Sequence, residues 1–193
     1  APGCHHWPQA KISGVLVAAA RQGKRVVRLK CGDPGVFARG AEEADALNAA
    51  GIAYEIVPGV TAASAASAAM GGFLTERGAC DTLVLATGQS EILGKRPDWL
   101  TILHPGTRVA LYMGVGSAPA ISHALKSADL SEHVQIDIVS RAQQRDQVIA
   151  KCCAETLVDT IKTHEISNPA ILFLTWPNAA GHVEKTGEVV NLR

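Results

Sequence analysis

The sequence predicts an α/β fold, on three observations. Apolar runs of strand length alternate with helix-patterned segments, and glycines or a Pro-Gly pair punctuate them. The chain has 193 residues, 47% hydrophobic and 19% charged, enough for one large domain or two small ones with a real core.

The elements follow in order. "PQAKISGVLVAAARQGK" reads as a helix: Pro8 suits a first helical position, Ile12, Val15, Leu16 and Ala19 share a face, and Gly23 suits the stop. "RVVRLK" is a short strand. "GAEEADALNAAG" is a helix with early carboxylates and Gly51 as its stop. "IAYEIVPG" is a strand ended by Pro58-Gly59, and "VTAASAASAAMGG" is a small-residue helix ended by Gly71-Gly72. "DTLVLATG" is a further strand. Helix alternating with strand predicts parallel pairing.

Residues 88 to 106 lose the pattern, with Gln89, Ser90, Glu91, Lys95, Pro97 and Pro105 interrupting it. This predicts a boundary near 106, hence domains 1–106 and 107–193. Beyond it "RVALYMG" reads as a strand and "PAISHALKSADL" as a helix. "HVQIDIVSRA" is a strand, "AETLVDTIKTH" a helix, "PAILFLTW" a buried strand and "HVEKTGEVVNL" a candidate edge strand. Cys152 and Cys153 fall on a predicted helix, where they face apart and read as packing residues rather than a redox pair.

Composition excludes several classes. Lys plus Arg and Asp plus Glu are 18 each, so no net charge steers the chain toward nucleic acid or a membrane surface. No apolar run approaches the roughly 18 residues of a membrane span. Five cysteines match neither a disulfide framework nor a zinc pattern, which reads as reduced thiols in a cytoplasmic protein. Cys4, His5 and His6 invite a metal, but no partner pair stands at structural-zinc spacing, so none is predicted.

Two turns are candidate ligand sites. "CGDPG" (residues 31 to 35) ends a strand, where open α/β sheets bind ligands. It is neither a Walker A loop nor a dinucleotide fingerprint. Gly32 allows close approach, Pro34 stiffens the turn, and the Asp33 carboxylate suits a hydroxyl or an ammonium better than a phosphate. S-adenosylmethionine offers a ribose, an ammonium and no phosphate. A tight turn with no ligand accounts for the same residues. In "VPGVTAASAAS", small residues leave room at a helix start, where free N–H groups bind oxygens; close helix–sheet packing uses Ala and Ser equally well.

Taken together, "VVRLKCGDPGVFARGAEE", "GIAYEIVPGVTAASAASAAMGGFLTERG" and "DTLVLATG" resemble the tetrapyrrole methylase family, with "HHWPQ", "LYMGVG" and "NPAILF" in support. Within it they are most similar to the members that methylate uroporphyrinogen III for sirohaem and cobalamin synthesis. Precorrin methyltransferases of cobalamin synthesis and a non-catalytic cofactor-binding or dimerisation fragment are the alternatives. The match is strong over residues 5 to 88 and looser beyond.

The resemblance implies two α/β domains with a cofactor cleft between them, usually as a homodimer, moving the methyl of S-adenosylmethionine to porphyrinogen carbon. It places cofactor contacts at Gly32, Asp33, Val36, Thr61, Ala62, Met113, Ala142 and Ala170. Arg39, Glu42 and Arg77 match substrate-facing positions; Arg39 and Glu42, at i and i+3, also suit a surface helix pair. Cys31 stands where the family usually has Gly. The family's first cofactor loop, and the acidic residue and lysine proposed for proton transfer, fall ahead of Ala1. On the order of 50 residues, about one and a half βα units, are thus expected to be absent, and no catalytic residue is placed. The opening without Met fits a processed product or a piece of a longer chain.

Overall fold

The computed structural model describes residues 7–89, 98–178 and 188–189. It divides into two compact units, one ending at Thr61 and one beginning at Ala62.

In the first unit, α1 (Gln9–Arg21) packs on α2 (Gly40–Ala49). Gly23 at φ 74° and Gly51 at φ 68° close these helices in the left-handed conformation, where glycine carries no Cβ penalty. The runs 25–30 and 52–59 do not form strands among the described residues. Neither has a ladder neighbour there, and a strand exists only with one. Their apolar side chains accordingly lie open: Val27 is 80% exposed, Leu29 85% and Val57 69%.

A buried carboxylate ties the helices and the segment between them together. Glu43 on α2 accepts hydrogen bonds from Gln9 Nε2 (3.0 Å) on α1, and from Lys30 Nζ (3.0 Å) and Arg28 Nε (3.3 Å). Burial alone would raise its pKa. The hydrogen bonds from Gln9 and Lys30, with the charges of Lys30 and Arg28, outweigh burial and hold the carboxyl below its usual range.

The second unit begins with α3 (Ala62–Ala69) and contains the sheet: β1 (Thr82–Thr87), α4 (Asp98–Ile102), β2 (Thr107–Tyr112), α5 (Ala118–Ser127), β3 (Gln135–Ser140), β4 (Val148–Cys152), α6 (Leu157–Thr163), β5 (Ala170–Trp176) and β6 (Glu188–Val189). The strand order is β1-β2-β5-β3-β4-β6. Among the described strands only β1 and β2 pair in parallel; the other pairs are antiparallel, which corrects the expected parallel sheet. Helix α5 does connect two strands of like direction, β2 and β3, but β5 inserts between them and runs against both.

Residue 106 lies inside this unit. β1 precedes it and β2 follows it, and the two pair in register from Thr82↔Thr107 to Thr87↔Tyr112. Leu111, Ile121, Leu125, Ile138, Leu157 and Leu172 are fully or almost fully buried in the core between sheet and helices. Cys152 ends β4 rather than sitting on a helix, because Val148–Cys152 pairs with β3 from Ser140↔Val148 to Ile136↔Cys152. Burial pushes its thiol up to about 12, with the neighbouring Cys153 and Asp137 adding to the effect. The edge strand expected in 182–192 is described only at Glu188–Val189, beside β4. Cys4, His5 and His6 lie outside the described residues.

Candidate functional site

In the first unit the site is a junction of two turns. Gly32 is exposed and left-handed at φ 77°. Asp33 Oδ1 accepts the Gly35 N–H at 2.7 Å, and Oδ2 accepts the Gly59 N–H at 3.0 Å. A Cβ on Gly59 would stand 2.3 Å from the Gly32 carbonyl oxygen, so the two turns touch backbone to backbone. The Val36 N–H closes the first turn on the Asp33 carbonyl at 3.3 Å. Thr61 follows the second turn by two residues.

Arg39, at φ 55°, starts α2 and is paired with Glu42: its Nε and Nη2 donate to the two carboxylate oxygens at 2.7 Å each. Both side chains are exposed. The guanidinium hydrogen bond holds Glu42 below the usual carboxylate range. Arg39 therefore already has a carboxylate partner on its own helix.

In the second unit the expected positions gather at one end of the sheet. Thr87 pairs with Tyr112, Tyr112 with Ile171, and Ala170 with Ser140. Met113 and Ala142 thus follow the C-terminal ends of β2 and β3, and Ala170 begins β5 between them. Met113 is left-handed at φ 57° and 40% exposed. The helix start at Ala62 is tied to this end, because the Tyr112 hydroxyl accepts the Ala63 N–H at 3.1 Å. Arg77 is exposed on the turn closed by the Glu76↔Cys80 bridge, outside the helices and strands.

Sequence reasoning missed two members of this arrangement. Tyr112 reads as a strand residue, and only its place before Met113 hints at more. Gly88 reads as a strand stop. Its N–H donates to the Tyr112 carbonyl at 2.7 Å, and a Cβ there would meet the Gly114 Cα at 2.5 Å.

Each unit offers its own uncharged surface: bare backbone at Gly32 in the first, and small side chains at Ala62 and Ala142 with an exposed thioether at Met113 in the second. Neither turn carries the lysine of a phosphate loop. Among the described residues no group of three or more His, Cys, Asp or Glu could hold a metal. No helix among them is long and apolar enough to cross a membrane.

The family model "Tetrapyrrole (Corrin/Porphyrin) Methylases" matches residues 3–158. The chain belongs to the tetrapyrrole methylases. It is 40% identical over 145 residues to siroheme synthase 1 of Pectobacterium atrosepticum, covering 75% of this chain and 30% of that protein. It is 34% identical over 189 residues to the siroheme synthase of Pseudomonas paraeruginosa, covering 98% of this chain and 38% of that one. The chain thus spans about a third of the length of the curated relatives it matches.

Solved structures give the same family. The uroporphyrin-III-C-methyltransferase of Thermus thermophilus is 32% identical with a TM-score of 0.72, over 87% of this chain and 71% of that one. A cobalt precorrin-4 methyltransferase is 28% identical with a TM-score of 0.77, over 89% of this chain and 72% of that one. A further Thermus thermophilus uroporphyrin-III C-methyltransferase structure, 32% identical with a TM-score of 0.71 over 86% of this chain and 73% of that one, is complexed with S-adenosyl homocysteine.

Proposed function

We propose that this chain serves the S-adenosylmethionine-dependent C-methylation of uroporphyrinogen III to precorrin-2, toward sirohaem and cobalamin. The observation that carries the reading is the likeness, at 32% identity, to a uroporphyrin-III C-methyltransferase whose structure includes the demethylated cofactor.

On this reading Gly32, Val36, Thr61, Ala62, Met113, Ala142 and Ala170 hold S-adenosylmethionine, with Asp33 at the heart of the first turn. The bound cofactor supplies an electrophilic methyl group on a sulfonium. The chain's own part is to bind, align and keep water away, since in-line transfer to carbon rests on orientation in a dry site. Arg39 and Arg77 meet the carboxylates of the tetrapyrrole. For Arg39, a substrate carboxylate takes over from Glu42, an exchange between two carboxylates at an exposed guanidinium. A homodimer is part of the same proposal.

The likeness to a cobalt precorrin-4 methyltransferase, with a TM-score of 0.77, favours a second reading in which a later precorrin is the substrate. Anaerobic incubation with S-adenosylmethionine and either uroporphyrinogen III or later precorrins separates the two. Two added methyl groups on uroporphyrinogen III support the first reading. Methylation confined to a later precorrin replaces it with the second.

A further inference from the structure

The Asp33 carboxylate is turned into the protein's own backbone. One oxygen holds the Gly35 N–H at 2.7 Å within its turn; the other holds the Gly59 N–H at 3.0 Å across the junction. Both contacts join a formal anion to an amide donor, the stronger class of hydrogen bond. The backbones meet at the same place: a Cβ on Gly59 would lie 2.3 Å from the Gly32 oxygen and 3.4 Å from the Asp33 Cα. The segment entering the turn is anchored as well, through Lys30 on the buried Glu43.

We propose that Asp33 is a positioning residue: its carboxylate clamps the 32–35 turn to the Pro58-Gly59 turn, and so sets the spacing between Gly32 and Thr61, without itself ligating the cofactor. This rests on the proposed cofactor reading and changes the role that the sequence suggests for Asp33. A carboxylate aimed at a ribose hydroxyl or an ammonium would be free to follow the ligand. This one is oriented by two backbone donors that belong to the unit itself. Lys30–Glu43 fixes the turn from behind and Asp33–Gly59 fixes it from the side, so the exposed Gly32 backbone is presented at a set distance from Thr61.

Two measurements on the full 193-residue chain test the clamp. The first is amide hydrogen exchange without ligand. Asp33→Ala should speed exchange at both Gly35 and Gly59. Asp33→Asn keeps an acceptor for Gly35 but turns a donor toward Gly59, so it should speed Gly59 alone. Unchanged Gly59 exchange in both variants would overturn the clamp.

The second is calorimetric titration with S-adenosylhomocysteine, its 2′-deoxy and 3′-deoxy analogues, and 5′-methylthioadenosine, which lacks the amino-acid part. A clamp predicts that Asp33→Ala weakens all four by a common factor, roughly ten- to a hundredfold. Gly59→Ala, which keeps the carboxylate but forces the turns apart, should weaken all four in the same way. If Asp33→Ala costs nothing for one analogue while weakening the parent compound, Asp33 touches the group that analogue lacks, and the proposal is wrong. Failure of the wild-type chain to bind S-adenosylhomocysteine overturns the cofactor reading and, with it, the role given to the clamp. The exchange result still decides separately whether the clamp itself exists.

Discussion

The Tyr112 hydroxyl accepts a hydrogen bond from the Ala63 N–H at 3.1 Å, joining the last residue of β2 to the first turn of α3. The first N–H groups of a helix have no partner within it. α3 is built of Ala and Ser, so it has little side-chain area with which to fix its own position. A buried phenol at the sheet end does this instead, and Met113 comes next in the chain.

Tyr112→Phe removes only the oxygen. It should lower stability by about 1 kcal/mol, the usual net worth of one such bond, read as a shift in urea midpoint at unchanged slope. The same variant should weaken S-adenosylhomocysteine binding, because Ala62 and Met113 are positioned through it. A variant matching wild type in both would show that α3 is held by packing alone.

Glu43→Gln should cost more, about 3 kcal/mol, because it leaves the largely buried Lys30 ammonium without its counter-charge. The pH dependence has a definite sign. The Glu43 carboxyl is held below its usual range in the folded state, despite burial, by Gln9, Lys30 and Arg28. Its stabilising contribution is therefore complete above the unfolded pKa of about 4.3 and is lost as pH falls through the lower folded value. Thermal melts from pH 7 down to pH 3 should show the gap between wild type and Glu43→Gln closing with acid. A constant gap would mean that packing, not charge, sets the difference.

Gly88 and Gly114 face each other at the ends of β1 and β2, and their substitutions should differ. A Cβ on Gly88 would stand 2.5 Å from the Gly114 Cα, so the strand ends must part, at about 2 kcal/mol. A Cβ on Gly114 would meet side-chain methyls of Leu172 and Ile121 at 3.4–3.5 Å, which can adjust. Melting temperature should fall clearly for Gly88→Ala and little for Gly114→Ala. The reverse order would contradict the backbone contact.

The described cysteines should differ in reactivity. Cys31 is exposed, whereas Cys80, Cys152 and Cys153 are buried, and the Cys152 thiol is pushed up to about 12. In a Cys4→Ser background, a thiol reagent at pH 8 should modify Cys31 first and leave Cys152 untouched until the protein unfolds. Early labelling of Cys152 would mean that β4 opens readily.

Local signals explain what could be read in advance. Helices α1, α2 and α3 end at glycines that the sequence marks plainly, and all three occur where the sequence places them. Strands β1, β2, β3 and β5 are rich in β-branched and aliphatic residues and are equally legible. Pairing direction is not: that β5 inserts between β2 and β3 depends on distant contacts that no local window contains. β4 was hidden because "VIAKCC" has only two β-branched residues and runs into a helical pattern. The runs 25–30 and 52–59 show the converse. Their β propensity is strong, yet without a neighbouring ladder among the described residues it yields no strand. Gly32 and Met113 are proposed from the motifs they stand in. The direction in which Asp33 points is not legible in them, because Gly59 lies 26 residues away.

The proposal that matters most is that this chain binds S-adenosylmethionine. Calorimetric titration of the folded 193-residue chain with S-adenosylhomocysteine tests it most directly. Saturable one-to-one binding at micromolar concentration, weakened by Asp33→Ala and by Tyr112→Phe, is the predicted result. No binding by a chain that melts cooperatively, or binding indifferent to both substitutions, would contradict it.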